Sequence, residues 1–159
     1  MKAHQFVVVG VDGSSASVGA LLWAAEAAAA SGAELRVVAA WLHDPLLDDL
    51  SIGRNVDEAG KAHRAELEAF VAETVKTPPE TVRCSAPEGD AASMLIDCAR
   101  NAALLVVGSH GKGLVRQALT GSVSTACLRR ASCPVAVVPP HALTPESRLG
   151  RKVAEIAGS

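Results

Sequence analysis

The residues best suited to chemistry lie in the stretch from Leu104 to Ser124, LLVVGSHGKGLVRQALTGSVS. Gly108 and Gly111 let a backbone turn sharply and let a ligand approach the main chain without a Cβ in the way. Gly121-Ser122 stands at an expected helix start, where free N–H groups and the helix dipole favour an anion. The hydroxyls of Ser122 and Ser124 add donors, and Lys112 or Arg116 supplies positive charge. His110 lies in the same loop, placed equally well to touch a phosphate or to face solvent. Together these residues describe a phosphate cradle assembled from two short pieces. The plain alternative is a tight strand-to-helix loop, and residue chemistry alone does not separate the two. The P-loop pattern GxxxxGK[ST] is absent, since Lys112 is followed by Gly113, and GxGxxG does not occur in the loop.

Other reactive side chains give less. Cys84, Cys98, Cys127 and Cys133 show no CxxC spacing, and no histidine completes a zinc set, so they read as buried small hydrophobes. His63 falls on the apolar stripe of an expected helix and reads as packed there. No nucleophile–base–orienter set is legible, and no carboxylate is clearly placed to activate a water. Binding is therefore expected rather than turnover.

The loop is held by a chain in which short aliphatic runs alternate with amphipathic segments. Phe6 to Val11 (FVVVGV) is continuously apolar, as for a strand covered on both faces, and Asp12-Gly13-Ser14-Ser15 ends it. A helix capped by either serine runs to about Ser31, with Gly32 at its end. Leu35 to Leu42 is a second strand, and Asn55 to Lys76 a second helix, ended by Pro78-Pro79. Thr81 to Ala86 alternates apolar and polar, which predicts an edge strand. A helix over Gly89 to Asn101 follows, then a strand over Leu104 to Gly108, a helix over Ser122 to Ala131 and a last strand over Pro134 to Val138. Five strands and four helices in alternation predict an α/β fold: an open five-stranded parallel sheet, helices on both faces, strand order 3-2-1-4-5. Ligands of such sheets bind outside the carboxyl ends of the strands where the order reverses. Those ends are Gly10-Val11-Asp12 and Val107-Gly108.

At 159 residues the chain fits one domain, over residues 1–140, with a tail over 141–159 that is polar, carries a weak helical pattern near Arg151 to Ile156 and reads as a loosely docked or disordered terminus. Hydrophobic residues are 49% but aromatics only 3%, so the core must be built from small and branched aliphatics. A net charge of −2 argues against a nucleic-acid partner. No apolar run approaches the ~20 residues that cross a bilayer, and the amino terminus does not read as a signal peptide. A cytoplasmic protein is expected.

The spacing Gly108-x2-Gly111-x9-Gly121-Ser122, with an early VGVDGS and a final CPVAVVP, closely resembles the universal stress protein family. In particular it resembles the nucleotide-binding branch, whose motif is G-2x-G-9x-G-[S/T], over about Phe6 to Pro139. The resemblance implies an ATP site. Val11 and Asp12 would lie against the adenosine, the Asp12 carboxylate accepting from a ribose hydroxyl; the alternative for Asp12 is to cap the first helix. Trp41 would fall where the family lines the base pocket, although it is bulkier than the aliphatic expected there. Val107 and Gly108 would back the ribose and base, and Gly111, Gly121, Ser122, Val123 and Ser124 would bind phosphates. A divalent ion, Mg2+ or Mn2+, would be held partly by the nucleotide. ATP binding would favour one arrangement of the 109–120 loop, giving a stress-response sensor or switch with at most slow hydrolysis. The last strand, apolar and at the sheet edge, is an association hazard unless paired; the family pairs it across a two-fold axis, which implies a homodimer through Pro134 to Val138. Three other readings stay open: a cyclic-AMP-binding member of the family, a dimeric interaction module in which Trp41 fills the base pocket, and an enzyme of the wider adenine-nucleotide α-hydrolase-like group, which shares the fold but for which no acceptor site is legible.

Overall fold

The computed structural model describes residues 5–44, 56–109, 121–139, 142 and 144–157. Five strands, β1 (Phe6–Gly10), β2 (Glu34–Val38), β3 (Val82–Ser85), β4 (Leu104–Gly108) and β5 (Val135–Val138), form one parallel sheet in the order β3-β2-β1-β4-β5. The described helices are α1 (Ser15–Ser31), α2 (Val56–Thr74), α3 (Ala91–Cys98), α4 (Ser122–Arg130) and α5 (Arg148–Ala157). None of them is long and apolar enough to cross a membrane.

Burial explains which strands are apolar throughout. In β1, Val7, Val8 and Val9 are all buried, because consecutive side chains enter different layers of the core. Val7 and Val9 join Leu35, Val37 and Val106 under α1 and α2, packing on Leu21, Ala24, Leu67 and Val71. Val8 joins Val38, Leu105 and Val107 under α3 and α4, packing on Leu95, Ala99 and Cys127. The edge strand β3 alternates instead: Val82 and Cys84 are half-buried against the α1–α2 layer, while Arg83 and Ser85 are exposed. The one-face-polar pattern expected of an edge strand is therefore present at that edge.

The strands end earlier than their apolar runs. Gly10 is the last residue of β1 and Val38 that of β2, where the sequence predicts extension to Val11 and Leu42. The extended course of β2 nevertheless goes on, since Ala39 donates to Ser85 O at 3.0 Å and Trp41 bridges Glu88.

The carboxyl-terminal segment differs from expectation. The sequence predicts a loosely docked or disordered terminus, whereas residues 148–157 form a helix laid against α1. The Ser147 hydroxyl accepts from Gly150 N–H at 2.8 Å and caps the helix; Leu149 and Ala142 pack on the α1 layer, and Gly150 is buried. Glu26, the single charged residue of α1, pairs with both Arg148 (3.3 Å) and Lys152. Helix α1 is apolar on nearly every side, and such a helix must be covered on more than one face. The sheet covers one face and α5 part of another.

Candidate functional site

The crevice arises from the pairing itself. The β1–β4 ladder ends at Val9–Val106. Beyond it each strand stays with its outer neighbour: Gly10 pairs Val38 and Val11 donates to Val38 O (3.0 Å), while Gly108 pairs Val138 and Ser109 donates to Val138 O (2.9 Å). The two central strands therefore part at their carboxyl ends, where the strand order reverses.

On the β1 side, Val11 is buried and Asp12 exposed. Asp12 Oδ1 accepts from Ser14 N–H at 2.9 Å and from the Ser14 hydroxyl at 2.5 Å. Ser14, not Asp12, caps α1, its Oγ accepting from Ser17 N–H at 3.2 Å. The Asp12 amide points to Ser17 Oγ at 3.3 Å. Asp12 thus braces the capping residue, and the turn holds its carboxylate at the strand end.

On the β4 side, Gly121 precedes α4 in an extended conformation, φ −73° and ψ 167°, and no side chain caps the helix. Gly121 N–H donates to Ser109 O at 2.6 Å, and the first helical bond runs from Thr125 N–H to Gly121 O at 3.0 Å. Helix geometry leaves the intervening N–H groups of Ser122, Val123 and Ser124 without partners inside the helix. They carry the positive end of the helix dipole, while Arg129 and Arg130 complement its negative end. Ser122 is exposed; Val123 packs on the α3–α4 layer. Ser124 is buried, and its hydroxyl donates to Gly121 O (3.0 Å) and Ser109 O (3.3 Å), fastening the helix start to the end of β4. What Ser124 offers outward is therefore its main-chain N–H.

The glycines at the two strand ends serve packing. A Cβ on Gly108 would lie 3.0 Å from the Ala16 carbonyl carbon and Cβ, and a Cβ on Gly10 would lie 2.7 Å from Leu95 Cδ1. The Cβ side of Gly108 faces the first turn of α1, which leaves its main chain as the part a ligand would meet.

Trp41 is not brought together with these residues. Its ring stacks on His63 of α2, with centroids 4.6 Å apart and planes 30° apart, its Cζ2 lies 3.7 Å from where a Gly60 Cβ would be, and its Nε1 donates to Ala86 O at 2.9 Å. It belongs with Val37 and Ala39 to the α1–α2 side of the sheet, whereas Val107 and α4 lie on the other. The physical reason is alternation: one residue along an extended chain reverses the face, so the neighbouring Ala40 turns toward the α4 side. The sequence expects Trp41 at the base pocket; in the structure its ring packs against α2. His63, expected to pack, does so through this stack. His110 and Gly111, with Lys112 and Arg116, lie outside the described residues.

Burial pushes the thiols of Cys84, Cys98, Cys127 and Cys133 up, and all four are free, as suits small core residues rather than reactive ones. Among the described residues no group of three His, Cys, Asp or Glu side chains could hold a metal ion. The Ser109 main chain joins β4, β5 and α4, and its mark in the sequence is a small polar residue directly after an apolar strand.

The comparisons with known proteins agree with this architecture. A universal stress protein of Mycobacterium tuberculosis strain H37Rv is 32% identical over 133 residues, covering 83% of this chain and 47% of the relative. A second one from that strain is 34% identical over 138 residues, covering 85% and 48%. The chain thus spans about half the length of these relatives. Among solved structures, UspA of Lactobacillus plantarum superposes with a TM-score of 0.65 at 24% identity, over 87% of this chain and 99% of that one, which speaks to the fold. A universal stress protein solved in complex with cAMP superposes with a TM-score of 0.62 at 28% identity, over 87% and 98%. The model of the universal stress protein family matches residues 5–139, and the chain belongs to that family.

Proposed function

We propose that the crevice between the carboxyl ends of β1 and β4 binds an adenine nucleotide, and that the chain is a nucleotide-dependent sensor of the ATP-binding branch of its family. The observation that carries this reading is the start of α4: three successive main-chain N–H groups, no side-chain cap, at the point where the strand order reverses. The phosphates sit on the N–H groups of Ser122, Val123 and Ser124, and Gly121 keeps side-chain atoms out of their way. Val11, Val107 and Gly108 back the nucleoside, the Asp12 carboxylate accepts from a ribose hydroxyl, and Ala40, next to Trp41, lines the base end. His110 and Gly111 complete the phosphate side.

The residues fit a nucleotide carrying its own divalent ion: the described donors around the helix start are N–H groups and hydroxyls, which suit phosphate oxygens and not a cation. Mg2+ bound between phosphates would neutralise part of their charge, and the protein's contribution is to orient and bind. In this reading occupancy of the crevice is the signal. With four free thiols, the protein suits the cytoplasm. The half-buried outer strand β5 suits pairing with a second copy.

Isothermal titration with ATP and magnesium tests the reading, with thermal stabilisation as a second readout, because a ligand bound only by the folded state must raise its stability. No heat and no stabilisation at millimolar ATP would refute it. A second reading, cyclic AMP as the preferred ligand, draws on the 28%-identical relative solved with cAMP. Displacement of ATP by cyclic AMP at lower concentration would favour it.

A further inference from the structure

One group at the crevice has no part in the binding scheme above. Ser109 follows the last residue of β4, is 2% exposed, and its Oγ has no hydrogen-bond partner among the described residues. Side chains alternate along an extended chain. Val107 enters the α3–α4 layer and Gly108 abuts Ala16 of α1, so the Ser109 side chain turns back toward α4. Its main chain fixes it there: its N–H donates to Val138 O at 2.9 Å, and its carbonyl accepts from Gly121 N–H at 2.6 Å and from Ser124 Oγ at 3.3 Å. Two independent features therefore meet at one place, an uncapped helix start and a buried hydroxyl with an unused donor. Folded proteins keep few such hydroxyls, because a buried polar group without a partner is destabilising.

We propose that Ser109 is a ligand-binding residue of the crevice, its hydroxyl donating to the phosphate of a phosphate ester held at the start of α4. The assignment rests on the nucleotide reading above. The Oγ is shielded from solvent, and rotation about χ1 between staggered positions brings it to the ligand at small cost. A phosphate oxygen is an anionic acceptor, so the bond formed is charge-assisted and stronger than one to a neutral group.

The proposal has a signature of two opposite signs. Ser109→Ala deletes a buried polar atom that has no partner among the described residues, so the ligand-free protein melts at an unchanged or higher temperature. The same variant binds nucleotide about tenfold more weakly, or worse, having lost a charge-assisted hydrogen bond. Ser109→Cys keeps the shape but is a weak donor and shows the same loss of affinity; it guards against a cavity effect in the alanine variant. The full chain is titrated calorimetrically with ATP plus magnesium and, separately, with cyclic AMP, and is melted without ligand. Undiminished affinity in both variants, for whichever probe the unaltered chain binds, overturns the assignment and leaves the nucleotide reading intact; it is also the outcome if a water molecule alone completes the hydroxyl. Binding of neither probe by the unaltered chain overturns both. A lowered melting temperature with an unchanged affinity assigns the hydroxyl to the fold alone and overturns the proposal as well.

Discussion

Helix α1 and helix α3 start with a side chain folded over their free N–H groups; helix α4 starts with none. Ser14 accepts from Ser17 N–H, and Asp90 Oδ2 accepts from Ser93 N–H at 3.0 Å. Gly121 occupies the same position before α4 and offers nothing. The difference is not conformational. The φ of −73° and ψ of 167° at Gly121 lie in the extended region open to any residue, and Ser14 and Asp90 hold similar angles. Glycine there provides room. Among the described helix starts, those of α1, α3 and α5 are closed by a side chain of the protein itself, and that of α4 is not.

The strongest way to break this contrast is to close the open start. Gly121→Asp supplies a cap and a negative charge where the phosphates are proposed to sit, so nucleotide affinity should fall by about a hundredfold. Urea denaturation should show the fold unharmed, with a gain of a few tenths of a kcal/mol. Undiminished calorimetric binding in that variant would remove the helix start from the site. Opening a closed start is the converse. Ser14→Ala should cost about 1 kcal/mol in urea denaturation, and a variant as stable as the parent would show that Ser14 does not cap α1.

A smaller effect sharpens the comparison at α3. The Ser93 N–H group, together with its side chain, holds the Asp90 carboxyl below the usual carboxylate range. A lowered folded-state value means the charged form is favoured by folding, so the contribution is complete above about pH 4, where an unfolded aspartate titrates. It is lost as pH falls through the lowered value. Asp90→Asn should therefore be less stable than the parent at pH 7, and the gap should close in acid; a gap independent of pH would contradict the assignment. The smallest effect belongs to the ion pairs between helices. Glu26→Gln should cost about 0.5 kcal/mol, because its pairs are partly exposed. That loss should shrink in molar salt, as read by denaturation at two ionic strengths.

Much of this was legible in the sequence, and for definite reasons. FVVVG and LLVVG stand in strands buried on both faces, and continuous burial leaves a continuous apolar run. Ser14 and Gly32 bracket α1 because capping is a local matter of one side chain or one left-handed residue. The register of Val82, Arg83, Cys84 and Ser85 betrayed an edge strand because only one of its faces is covered. What the sequence hid was relational. The docking of α5 depends on Glu26, more than a hundred positions away, and on an α1 surface with no pattern to read. The face on which Trp41 lies turns on a count of one residue past the end of β2, beyond what an apolar run can specify. The Ser124 hydroxyl looked like a ligand donor, and it faces two carbonyls that only the fold brings near.

Gly10 and Gly108 have a consequence for genetics. Each sits at a strand end bordering the crevice, yet what fills the space of its missing Cβ is a helix packed from one face of the sheet, Leu95 at the first and Ala16 at the second. A screen for variants that fail to bind ligand would return substitutions at both positions, and their position would tempt an experimenter to score them as contact residues. Their cause would be a displaced helix; at Gly10, where the crowding atoms are the end of the Leu95 side chain, the defect should be suppressible by trimming it, as in Leu95→Ala paired with Gly10→Ala, whereas Gly108 meets the Ala16 main chain. Loss of function at the rim of this crevice is thus a poor witness to contact unless it survives a second-site test.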